Sequence, residues 1–86
     1  MNYNEAISLL KALADENRLK IVKELSKSDE MCACRLLEIL DCNQSTLSHH
    51  MRVLTNSKLV LARKDWKWVH YSLNRELLDD LMSYLG

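Results

Sequence analysis

The feature that most constrains this chain is a change of hydrophobic period partway along it. As far as residue 57 the apolar residues recur at helical spacing. Between Leu59 and Leu73 they alternate, and from residue 75 the helical spacing returns. One Gly and no Pro in 86 residues leave too few turn formers for an all-β fold. The pattern predicts a mainly α protein with one β-hairpin, in the order α-α-α-α-β-β-α, as a single domain over residues 1–86.

The first helix is expected over about 4–14, with Ala6, Ile7, Leu9, Leu10 and Leu13 apolar. Asp15 is a good N-cap for a second, over about 15–26, with Leu19, Ile21, Val22 and Leu25 apolar. A polar connection, Ser26 to Glu30, leads to a short third helix running to about Asp41, with Leu36, Leu37 and Leu40 inward. Asp41-Cys42-Asn43 makes a tight turn, and Asn43 can cap a fourth helix over about 44–57. Leu47, Met51 and Leu54 line its inner side; Ser45, Ser48, His49 and Arg52 face out. Leu59–Lys64 and Trp68–Leu73 read as strands around the turn Lys64-Asp65-Trp66-Lys67. A last helix, about 75–85, carries Leu77, Leu78, Leu81, Met82 and Leu85.

Charge is balanced overall, twelve basic residues against twelve acidic, but unevenly placed. Residues 44–71 carry Arg52, Lys58, Arg63, Lys64 and Lys67 against Asp65 alone, and hold all three His. A local basic surface of this kind suits DNA. No apolar run approaches the roughly 18–20 residues of a membrane span. No signal peptide is visible, so a soluble, cytoplasmic protein is expected.

Two helices joined by a short turn, the second with a polar outer face, suggest helix-turn-helix. Such a recognition helix enters the major groove by its N-terminal end. Here that end is Gln44, Ser45, Thr46, Leu47, Ser48, His49. Gln can pair bidentately with adenine, and the Thr methyl can meet a thymine methyl. The basic hairpin then forms the wing, with Arg63, Lys64 and Lys67 available to phosphates or a minor groove. A solvated polar helix and a charged hairpin tip explain each part singly; the order of all parts favours a winged helix-turn-helix. No nucleophile–base constellation and no Gly-rich loop are present, which argues against an enzyme.

Three Cys, an odd count without a secretory signal, argue against a disulfide framework. Cys32 and Cys34 are two apart, and a bridge between them is expected to be badly strained. Both sit where the third helix begins. A helix start favours thiolates, as does Arg35, and thiolates select soft ions. On a regular helix, side chains two apart point about 200° apart. The two sulfurs can share one ion only if that first turn is extended or unwinds.

With these parts in place the chain resembles the arsenic-sensing repressors of the ArsR/SmtB family, over nearly its whole length. Glu30-Met31-Cys32-Ala33-Cys34-Arg35-Leu36 is the specific stretch. Leu13-Ala14-Asp15-Glu16-Asn17-Arg18-Leu19, Gln44-Ser45-Thr46-Leu47-Ser48-His49-His50-Met51 and Trp68-Val69-His70-Tyr71-Ser72-Leu73 mark the wider family. The resemblance implies a homodimeric repressor that leaves inverted-repeat operator DNA when As(III) or Sb(III) binds Cys32 and Cys34. It also implies pairing through the terminal helices, which places Leu9, Leu10, Leu13, Leu77, Leu78, Leu81 and Leu85 at the interface.

The third sulfur is not assigned by the resemblance. Some relatives have Cys where this chain has Leu37. Cys42 is expected in the core, with ligation the lesser alternative; a small thiol such as glutathione, or cysteines beyond Gly86, are the others. No catalytic cofactor is expected. The family's zinc site on the last helix lacks His here, and its cadmium and lead type needs Cys that residues 1–31 do not hold. Trp66 stands in the wing turn where relatives usually carry Gly, and is expected to be exposed. Two rivals stay open: a cysteine redox-responsive DNA-binding regulator, and a winged-helix protein-interaction module.

Overall fold

Four of the five helices begin on an Asn or Asp whose side-chain oxygen accepts a backbone N–H three residues on. Asn2 caps with Glu5 at 2.9 Å, Asp15 with Arg18 at 3.0 Å, Asn43 with Thr46 at 2.8 Å and Asn74 with Leu77 at 3.2 Å. Such caps stabilise by about 1 kcal/mol each, enough to fix where short helices start. The computed structural model describes residues 1–86. Its elements are α1 (Tyr3–Leu13), α2 (Glu16–Leu25), β1 (Met31–Cys32), α3 (Ala33–Ile39), α4 (Gln44–Asn56), β2 (Val60–Asp65), β3 (Trp68–Leu73) and α5 (Arg75–Leu85).

The expected order holds with one addition. Met31 and Cys32 form a short strand that pairs antiparallel with β3, Met31 opposite Tyr71 and Cys32 opposite His70. The sheet order is β1-β3-β2, so the second hairpin strand lies in the middle. The third helix is shorter than expected. It ends at Ile39, because Leu40 turns to an extended conformation and buries its side chain in the core.

Ile21, Val22 and Leu25 of α2, Leu36 and Leu40, Leu47, Met51 and Leu54 of α4, Val60 and Leu73 make one buried cluster. Ala6, Leu9, Ala12, Leu59 and Leu81 make a second, under the terminal helices, and Leu13 and Leu78 touch both. No helix is long and apolar enough to cross a membrane.

Candidate nucleic-acid interface and thiol pair

Helix α4 is held from behind by polar as well as apolar contacts. His50 is buried on its inner side, with Nδ1 3.3 Å from Arg18 Nη1 and Nε2 3.8 Å from Asp15 Oδ2. Arg18 also donates through Nε to the Ala12 carbonyl at 2.7 Å. The backbone N–H of Arg18 holds the Asp15 carboxyl below its ordinary range, outweighing desolvation, with help from the His50 and Arg18 charges. The end of α1, the start of α2 and the middle of α4 are thereby tied together. The adjacent His pair therefore divides: His50 packs, while His49 stays exposed. Gln44, Ser45, Ser48 and Arg52 are exposed beside His49, and Thr46 is half-buried.

In the wing, Asp65 pairs with Trp68 across a two-residue turn made by Trp66 and Lys67. Trp66 has φ 59°, the left-handed region, and is 80% exposed, as its turn position predicts. The Lys67 ammonium lies 5.1 Å from the Trp66 ring centre and 5.5 Å from that of Trp68. Lys64 is exposed.

Arg63 is not free in the way the sequence suggested. It grips Glu30 bidentately, Nε to Oε2 at 2.9 Å and Nη2 to Oε1 at 2.8 Å. These hydrogen bonds are the main reason the Glu30 carboxyl lies below its ordinary range and the Arg63 guanidinium above its own. His70 Nδ1 stands 3.8 Å from the same carboxylate.

The cysteines give the clearest correction. A bridge between Cys32 and Cys34 was expected to be badly strained; the structure joins them in a disulfide, with 5.4 Å between their Cα atoms. That spacing lies inside the usual range for bridged cysteines. The physical reason is that Cys32 is not in the helix. It is extended (φ −77°, ψ 155°), ends β1 and caps α3, its Sγ accepting the Arg35 N–H at 3.3 Å. The chain turns between the two residues, so both sulfurs meet on one side without any helical turn unwinding. Cys42 stays a separate, free thiol, partly buried against the core. No three His, Cys, Asp or Glu side chains come together as a potential metal-ligand group.

A cavity of about 390 Å³ connects these parts. Cys32, Ala33 and Cys34 form one wall, Gln44 and Ser48 of α4 another, and Lys67 and Trp68 of the wing a third. Sequence reasoning missed this enclosure, because it depends on β1 docking on β3. Strand alternation did signal its inner face, where Val69 and Tyr71 point the same way as buried Leu73. Partial burial raises the ordinary pKa of the Tyr71 phenol.

Of the residues assigned to a dimer face, Leu9 and Leu81 are buried within the chain's own second cluster and leave that set. Leu13, Leu77 and Leu78 are half-buried. Leu10 and Leu85 are exposed, and Tyr3, Ile7 and Met82 join them at the surface.

The family model for bacterial regulatory proteins of the arsR family matches residues 15–61. The arsenical resistance operon repressor of Staphylococcus aureus is 46% identical over 86 residues, all of this chain and 82% of that protein. Its counterpart in Staphylococcus xylosus is 47% identical over 79 residues, 92% of this chain and 75% of the relative. Among solved structures, HlyU from Vibrio cholerae N16961 superposes with a TM-score of 0.81 at 34% identity, covering 98% of this chain and 94% of that one. With this fold and these matches, the chain belongs to the arsR family of bacterial regulatory proteins, which are winged-helix transcription regulators and not enzymes.

Proposed function

We propose that the chain is a homodimeric, cytoplasmic repressor of arsenical resistance. It binds inverted-repeat operator DNA through Gln44, Ser45, Thr46, Ser48, His49 and Arg52, with the wing on neighbouring phosphates, and is released when As(III) or Sb(III) binds Cys32 and Cys34. The observation that carries this reading is the meeting of the two sulfurs on one wall of a cavity whose other walls are the start of α4 and the wing. The names of the relatives supply the ion class.

Binding requires the dithiol form, reached by exchange with a small thiol, which is oxidised as the disulfide is reduced. Arsenous acid then condenses with both thiols. Two As–S bonds form, two As–O bonds break, and the thiol protons leave with the hydroxyls as two waters. Arsenic stays trivalent. Its third position keeps a hydroxyl or takes a free thiol such as glutathione, since no third ligand side chain stands beside the pair.

The test is DNA release. Cys32→Ser with Cys34→Ser should bind an inverted-repeat operator as the reduced wild type does and ignore arsenite and antimonite. Release of that variant by arsenite would overturn the sensor site. No operator binding by reduced wild-type protein would favour an interaction module instead.

The disulfide favours a second reading, a redox regulator. Peroxide converts the two thiols to the bridge and is itself reduced to two waters. Release by peroxide at concentrations where arsenite has no effect would select this reading.

A further inference from the structure

The cavity beside the thiol pair has more room and a different lining than an inorganic ion needs. Leu37, Leu47, Met51, Trp68, Val69 and Tyr71 line it, and its volume of about 390 Å³ lies in the range of small-molecule sites. A trivalent arsenic bound by two sulfurs has one bond left, and no side chain of the chain is placed to fill it. A protein building a three-sulfur pyramid would set a third polar donor here; this one sets apolar side chains.

We propose that the cavity receives the organic substituent of a monosubstituted arsenous acid, R–As(OH)₂, with R aromatic. The inference rests on Cys32 and Cys34 being the arsenic ligands. The reduced thiols displace both hydroxyls: two As–S bonds form, two As–O bonds break, two waters leave, and the As–C bond and the +3 state are retained. The substituent then points away from the sulfurs into the cavity. Contact with Leu47 and Met51 puts it against the inner face of α4, and Trp68 puts it against the wing. An occupant wedged between these elements alters their spacing, and a helix and wing that must follow one duplex tolerate little change in spacing.

The experiment uses the full chain, reduced with a phosphine and desalted, and three probes: arsenite, methylarsenous acid and phenylarsenous acid. Affinities are read from Trp fluorescence and, independently, by calorimetry. The ratio of phenyl to methyl affinity is divided by the same ratio for a small free dithiol, which removes the intrinsic chemistry of the As–S bonds. The expected quotient is about tenfold or more, from burial of the additional apolar surface. Ala33→Leu and Val69→Phe, two independent ways of filling the cavity, should bring the quotient to about one in whichever variant keeps the wild-type circular dichroism. Both should leave arsenite affinity within about twofold, because the sulfurs are untouched.

A wild-type quotient near one overturns the proposal while leaving the thiol pair as the ion site. Failure of arsenite and both organic probes to bind the reduced wild type overturns the thiol-pair reading and the inference with it. A quotient unchanged in a folded, cavity-filled variant places the substituent elsewhere and overturns the proposal.

Discussion

Helix α4 and the terminal pair α1 and α5 bury their inner faces in the same way but turn opposite outer faces to solvent. Outside, α4 shows Gln44, Ser45, Ser48, His49 and Arg52. Outside, α1 shows Tyr3, Ile7 and Leu10, at i, i+4 and i+7, although Ala6, Leu9 and Ala12 already fill its inner side. On α5 Met82 and Leu85 are likewise exposed, and the Tyr3 and Tyr84 rings meet edge to face at 6.0 Å, so the two helices present one surface. A helix with apolar residues all round is one that expects to be covered. A polar outer face beside basic residues fits a polyanion. The contrast separates the face for a second copy of the chain from the face for DNA.

The sharpest way to break that contrast is to charge the apolar face. Leu10→Glu with Leu85→Glu leaves both buried clusters intact. Sedimentation should give about twice 10.1 kDa for the wild type and 10.1 kDa for the double variant. Operator affinity should fall by about 100-fold or more, since the second half-site then loses its tether. A double variant that stays dimeric would move the interface elsewhere.

Charging the terminal helices tests assembly; trimming α4 tests recognition alone. Gln44→Ala should leave the dimer and its thermal stability unchanged. It should cost about 1–3 kcal/mol of specific binding and relax base choice at one position, if Gln44 makes a bidentate pair. Lys64→Ala should act differently, weakening all sequences alike and lowering the salt slope by about one. Equal losses on every sequence in both variants would sink the division of labour between helix and wing.

How much of this was legible depended on whether the deciding contact was local. Asp15 and Asn43 announce their helices because a cap acts over three residues, and the expected spans of α2 and α4 follow from them. The outer face of α4 follows from its period. The inner and outer stripes of α1 do not, because Leu9 and Leu10 are equally apolar and only the position of α5 decides which is covered. Strand β1 is two residues long and exists through its pairing with β3. The convergence of Cys32 and Cys34 depends on it, as does the cavity, so both were out of reach of periodicity. Arg63 looked like a phosphate contact because its partner, Glu30, lies in a distant loop.

Trp66 tests the wing at smaller cost. Relieving its left-handed backbone is worth about 1–2 kcal/mol. Glycine's added chain entropy, about 0.5–1 kcal/mol, and the lost Lys67 contact, about 0.5 kcal/mol, offset that. Trp66→Gly should therefore unfold within about 1 kcal/mol of wild type in denaturant. Iodide should quench the remaining Trp68 less than it quenches the wild-type pair, because Trp68 is 52% exposed against 80% for Trp66. A loss well beyond 1 kcal/mol would mean that Trp66 packs.

The smallest expected effect concerns the pair that restrains the wing's arginine. Glu30 has its carboxyl held below the ordinary range, chiefly by the Arg63 hydrogen bonds. A carboxylate depressed in the folded state contributes stability that is fully present above its unfolded pKa, about 4. That contribution is lost as pH falls through the lower, folded value. Glu30→Gln removes it, so the variant's unfolding midpoint should fall less steeply than the wild type's on acidification below about pH 4. Asp15, depressed through a different contact, keeps part of the acid dependence in both proteins. At neutral pH the same change releases Arg63 from an ionic partner. Non-specific DNA binding should tighten by about twofold to threefold, as for one weak surface ion pair, and the salt slope should rise by about one. Unchanged DNA binding together with the flattened acid profile would mean that Arg63 serves the fold and leaves the duplex to Lys64 and Lys67.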